Sequence, residues 1–90
     1  MTRNVTITFQ NNEDARPIVD AIEADNPDAT AVAMPAMVKI DCPGRLVINR
    51  ETVEEKVGRD WDLQELHLCL VSLAGNVDED DDRMIIEWRK

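Results

Sequence analysis

Apolar and polar residues alternate from Val5 through Ile7 to Phe9, with Thr6, Thr8 and Gln10 between them. That period predicts a half-buried strand rich in β-branched residues. Asn11-Asn12 breaks it. Asp14 is then the expected N-cap of a helix, with Ala15, Ile18, Val19 and Ile22 at helical spacing on one face. Pro17 falls in the first turn, where its missing N–H has no intrahelical partner to lose, and Asn26-Pro27 ends the helix. Asp20, Glu23 and Asp25 read as its solvated side. Strands are predicted at residues 30–34 and 37–42, joined at Pro35-Ala36. In the second, Val38 and Ile40 oppose Lys39 and Asp41, the mark of an antiparallel sheet with one wet face. Pro43-Gly44 turns the chain into a strand at Leu46, Val47 and Ile48.

The second half begins with Thr52-Val53-Glu54-Glu55, a capping box for a short helix that Gly58 closes. Asp62-Leu63-Gln64-Glu65 is a second helix-start signal. Residues 66–82 follow as one organising stretch, in which an apolar run passes through Ala74-Gly75 into five acids. Leu66, Leu68, Leu70 and Leu73 are all expected to be buried, and the acids to be solvated. Two periods compete here. Leu63, Leu66, Leu70 and Leu73 fit a helix, whereas Leu66, Leu68 and Leu70 alternate as in a strand. We prefer one helical turn at residues 62–66, then a core strand at about 67–73. Met84, Ile86 and Trp88 alternate in a last strand, which needs that one as its partner across the acidic turn.

The order strand, helix, hairpin thus occurs twice without sequence identity. It predicts an α+β fold, with residues 1–90 a single small domain built from two β-α-β-β units packed face to face.

Composition narrows the function. At 43% hydrophobic the chain can fold, and Phe9, Trp61 and Trp88 leave an aliphatic core. A net charge of −9, more than half of it from residues 78–82, argues against nucleic acid and against an anionic membrane surface. The strand-like start argues against a signal peptide, and no run reaches the ~20 apolar residues of a membrane span. Cys42 and Cys69 read as reduced structural thiols, which predicts a cytoplasmic protein.

No catalytic constellation emerges. His67, the single histidine, lies in an apolar run, and Ser72 is the single serine, so a Ser-His-Asp arrangement has no frame. His67 and Cys69 would share a face of the expected strand, and Cys42 would have to join them for three zinc ligands. The structural reading of all three is preferred. An EF-hand loop starting at Asp78 fails, because its sixth residue is Arg83 and not glycine. Five adjacent exposed acids are the reverse of the apolar pocket that tunes catalytic carboxylates. The residues support a binding module. Met34, Pro35, Ala36 and Met37 form an exposed apolar turn, and Gly75, Asn76 and Val77 lead into Asp78 and Glu79. Both are candidate contacts for a basic protein partner. The alternative is a stand-alone small acidic protein-binding or weak cation-binding domain.

Several segments carry a resemblance in their order and spacing. They are residues 21–27 (AIEADNP), 35–41 (PAMVKID), 43–47 (PGRLV), 58–62 (GRDWD) and 70–82 (LVSLAGNVDEDDD). Together they resemble the regulatory (coupling, or effector) proteins of bacterial multicomponent diiron monooxygenases, most similarly the phenol hydroxylase member. The resemblance implies a cofactorless, non-catalytic component of a system for aromatic hydrocarbon catabolism. Its implied partner is the diiron hydroxylase, with the flavin and iron–sulfur reductase a potential competitor for it. It implies coupling of electron delivery to hydroxylation of a phenol. The family fold of repeated β-α-β-β units favours the strand reading of residues 67–73.

Overall fold

The computed structural model describes residues 3–88. β1 (Asn4–Gln10) forms where the alternation predicts it, with Val5, Ile7 and Phe9 fully buried. α1 (Arg16–Asp25) follows and buries Ile18, Val19, Ala21 and Ile22. Asp14 does not cap it. Ala15 is the N-cap without a side-chain bond, and Asn12 Oδ1 accepts the Ala15 N–H at 2.9 Å. The cap lies one position later than expected because the chain first makes a turn through residues 13–15. β2 (Thr30–Ala33) and β3 (Met37–Pro43) form the expected hairpin, with Val38 and Ile40 inside. The wet face is also present, as Thr6 Oγ1 donates to Asp41 Oδ1 at 2.6 Å.

β4 (Arg45–Asn49) leads directly into α2 (Arg50–Val57). The helix begins ahead of Thr52, so the expected capping box does not form. Glu54 instead accepts the Trp61 N–H at 2.9 Å. Gly58 closes the helix as expected, its N–H bonding to the Glu54 carbonyl. The second start signal is real: Asp62 accepts from the Gln64 N–H, and Glu65 accepts from the Asp62 N–H. It opens a 3-10 turn (Leu63–Glu65) that continues as the single-turn helix α3 (Leu66–Cys69).

Here the structure corrects the sequence reading. The strand expected at residues 67–73 starts only at β5 (Leu70–Ala74). Each competing period held over part of the run, helix up to Cys69 and strand from Leu70. His67 and Cys69 therefore share no strand face, and Leu68 is 78% exposed, not buried. β6 (Asn76–Glu79) and β7 (Arg83–Glu87) complete the chain.

One sheet has the order β2-β3-β1-β5 and the other β4-β7-β6. Each unit contributes its first, second and third strands in the same spatial order, β1-β3-β2 and β4-β7-β6, with a helix after the first strand. The α+β duplication is thus present, with β5 as an added strand. The partner of β7 across the acidic turn is β6, not residues 67–73, because β5 is already paired with β1. One core draws on both sheets, from Val5, Ile7, Phe9 and Ile40 to Leu46, Ile48, Met84 and Ile86. Each such side chain contributes about 1.5–3 kcal/mol by leaving water.

The sheets meet at a corner crossed at glycines. The chain passes from β3 to β4 at Gly44 (φ 75°) and from β5 to β6 at Gly75 (φ 139°). A Cβ on Gly75 would lie 2.6 Å from Ile86 Cγ2 and 3.2 Å from Val5 Cγ1. Between the crossings, Trp88 Nε1 donates to the Asn4 carbonyl at 2.8 Å, and the Arg3 guanidinium sits 4.0 Å over the indole. Away from the corner the buried Asn26 joins the units. Its amide donates to the Ile22 and Val47 carbonyls, and its oxygen accepts the Val47 N–H.

Gly75→Ala should destabilise the fold by about 1–3 kcal/mol, through strain at positive φ and overpacking of Ile86. Equilibrium denaturation with urea measures this, and an unchanged midpoint would contradict the close approach. Asn26→Ala should cost about 1–3 kcal/mol by leaving the Val47 N–H and carbonyl of β4 without the side chain that satisfies both. Asn26→Asp should not rescue it, because a carboxylate cannot donate to two carbonyls.

A candidate docking surface

The turn expected to make contact, Met34 through Met37, is the tip of the β2–β3 hairpin. Met34 N–H donates to the Met37 carbonyl at 2.7 Å, and Asn11 holds the tip from outside through the Ala36 and Met34 carbonyls. Pro35 and Ala36 are exposed, while Met34 and Met37 are half-buried. Gly75 is half-buried at the corner; Asn76, Val77, Asp78 and Glu79 form β6 and are all exposed.

The two candidate segments do not form one patch. Met37 pairs with Gln10 at one end of β1, while Ala74, beside Gly75, pairs with Thr6 near the other. At about 3.3 Å per residue, these ends are roughly 13 Å apart along the strand. The hairpin tip is nearer to Leu70, which pairs with Phe9 at the same end.

Sequence reasoning missed the flank beside β6. Among the described residues, β5 and β6 are each paired on one side only, so residues 70–79 run along the molecule as a bent, unpaired edge. The β5–β1 ladder slips between Thr8 and Phe9, leaving Val71 without a partner. Such a bulge re-aims a side chain, and Val71 is 49% exposed. Val77 is 40% exposed, and Leu68, on the helical turn that leads into β5, is exposed as well. His67 Nε2 meets Glu79 Oε1 at 3.2 Å and ties α3 to β6. A doubled apolar signal, Leu68 followed by Val71, was present in the sequence, but alternation assigned Leu68 to the core.

The acids divide by role. Asp78 and Glu79 belong to β6, and Asp80, Asp81 and Asp82 make the turn to β7. Asp80 Oδ1 accepts the N–H groups of Asp82 and Arg83, which hold its carboxyl below the usual range. Asp82 pairs with Arg50 at 3.0 Å, and the Arg50 N–H donates to the Asp82 carbonyl, docking the tip on α2. The tip is therefore an ordered loop of fixed negative charge. On the neighbouring surface, Arg59 is 3.0 Å from Glu65. That bond first, and the Asp62 N–H second, depress the Glu65 carboxyl.

The thiols are structural. Cys42 and Cys69 are buried and unbridged, and Cys42 Sγ–H donates to the Arg45 carbonyl at 3.1 Å. Burial raises both thiols, keeping them protonated and unreactive. The described residues contain no cluster of three His, Cys, Asp or Glu side chains arranged for a metal, and no helix long and apolar enough to cross a membrane.

Known proteins share this arrangement. The model of the MmoB/DmpM family matches residues 3–87. The phenol 2-monooxygenase stimulatory component DmpM of Pseudomonas sp. (strain CF600) is 51% identical over 89 residues, 99% of each chain. A chain in a solved phenol hydroxylase–regulatory protein complex superposes with a TM-score of 0.92 at 55% identity, over 97% of this chain and 100% of that one. The soluble methane monooxygenase regulatory protein B has the same fold, with a TM-score of 0.74 at 13% identity over 96% of this chain and 65% of that one.

Proposed function

This chain belongs to the MmoB/DmpM family, and from that premise we propose that it is the non-catalytic regulatory component of a multicomponent phenol hydroxylase. It binds the diiron hydroxylase and couples electron delivery to hydroxylation of the aromatic ring. The observation that carries this reading is end-to-end identity of 51% with a stimulatory component of phenol 2-monooxygenase. The fold match to a chain solved in a phenol hydroxylase–regulatory protein complex supports it. We read residues 1–90 as one regulatory domain, acting in the cytoplasm, where the buried free thiols stay reduced.

An effector of this kind works by binding one state of its partner better than another. The chain supplies contact and charge, and the hydroxylase supplies iron, substrate pocket and chemistry. We assign the contact to β6 with its entry, Gly75 to Glu79, and to the hairpin tip, Met34 to Met37. The ordered acidic tip steers association. The reductase competes for the same partner in this reading.

Adding the chain to purified phenol hydroxylase and its reductase should raise phenol turnover about fivefold or more, the lower end of usual allosteric coupling. The rise should saturate with the ratio of chain to hydroxylase, and no stimulation at any ratio would remove the assignment. Asp78→Asn/Asp81→Asn removes charge without touching the bonds of Asp80 or Asp82. It should slow association about threefold or more at low salt, leaving dissociation nearly unchanged. That difference should shrink as the Debye length falls from about 10 Å at 0.1 M salt to about 3 Å at 1 M. Stopped-flow binding across ionic strength checks it; salt-independent rates would leave the acids a solubility role only.

A further inference from the structure

Three large apolar side chains stand exposed within ten residues of chain, from α3 through β5 to β6. Leu68 is 78% exposed on α3, Val71 is 49% exposed on the bulge of β5, and Val77 is 40% exposed on β6. Val71 and Val77 lie on the β5–β6 edge and Leu68 on the helix that leads into it: Leu68 and Val71 are three residues apart across the α3–β5 junction, and the His67–Glu79 bond draws α3 against β6. Val77 and Glu79 share a face of that strand, two residues apart. Glu79 therefore borders Val77 with negative charge, and Asp78 adds its charge from the opposite face of the strand. An exposed, unpaired strand edge bearing apolar residues invites aggregation unless something covers it.

We infer that Leu68 and Val71, with Val77 beside them, form the apolar anchor by which this chain docks on the hydroxylase, in a cleft lined by apolar side chains and rimmed by Lys or Arg. The inference rests on the regulatory reading above and adds residues outside the segments assigned there. Two observations select the occupant. The border of the anchor is acidic on a chain of net charge −9, so the complementary surface is basic. A relative of 55% identity and nearly the same backbone is found bound to phenol hydroxylase, so a chain of this shape has a hydroxylase partner.

The bulge gives the anchor its geometry. A regular β5–β1 register would place Val71 opposite a β1 residue, alternating with its neighbours between the two faces of the sheet. The slip between Thr8 and Phe9 frees Val71 from that alternation, and Val71 and Ser72 are both exposed in succession. Interface energy concentrates in a few buried apolar anchors surrounded by polar contacts. Leu68 and Val71 are placed for that role, and the acids for the rim.

The test is a titration of purified phenol hydroxylase with the wild-type chain and with Leu68→Ser/Val71→Ser. Calorimetry reads binding, and phenol turnover with the reductase reads stimulation. The double variant should raise Kd about tenfold or more, a change of about 1.4 kcal/mol. Its urea midpoint should stay at or above that of the wild type, because the lost side chains face solvent. Leu68→Lys, which sets a cation against the basic rim, should weaken binding at least as much. Wild-type binding and stimulation, with Kd for the double variant within about twofold, would overturn the anchor and leave the regulatory reading intact. Failure of the wild type to bind or stimulate would overturn both. If sedimentation shows that the substitutions abolish only self-association, the flank belongs to a second copy and the anchor assignment falls.

Discussion

The whole arrangement depends on how closely two sheets approach at the corner where Gly75 passes between Val5 and Ile86. There is no room at that point for a Cβ, and the backbone takes a φ that side chains rarely adopt. Gly44 makes the matching crossing on the other side, so β3 continues into β4 as β5 continues into β6. Between them β1 lies opposite β7, stitched by the Trp88–Asn4 hydrogen bond. With the corner closed, the apolar faces of both sheets turn into one core, and a chain of 90 residues buries enough aliphatic surface to fold.

The same closure leaves the β5–β6 flank open. β2 covers β3, and α1 packs against β4 and α2, so the first crossing is sheltered by other elements. The second has no such cover. β5 and β6 form its edge, and the residues exposed there include the apolar Val71 and Val77 and the acidic Asp78 and Glu79. The fold thus separates a region committed to stability from one available for contact. Asn26 belongs to the first, its buried side chain binding α1 to β4 through both backbone groups of Val47. The His67–Glu79 bond belongs to the second, a surface contact of small energetic weight that positions the flank and does not hold the core.

The acidic run shows how a charge cluster becomes a shaped feature. Asp80 folds the turn by accepting two backbone N–H groups, and Asp82 fastens it to Arg50 on α2. Asp78 and Asp81 have neither of those tasks. Charge placed on an ordered hairpin keeps a direction relative to the apolar flank, whereas the same charge on a loose tail would average out. An effector that must both find its partner and seat in one register gains from that order.

By itself, the sequence determined the elements whose pattern is local. The alternation of β1, the stripe of α1, the hairpin at Pro35-Ala36, the Asp62–Glu65 cap and the β-α-β-β duplication were all legible. Period and turn chemistry act within a few residues. The family segments made the regulatory role legible as well. Only the tertiary structure decided the rest. In residues 66–73 two periods overlap, and the outcome turned on β1 having a free edge that captured Leu70–Ala74 and left α3 outside. That capture gave β7 to β6, exposed Leu68 and bulged Val71. None of these follows from local pattern, because which strand pairs with which is set by the closure of the corner.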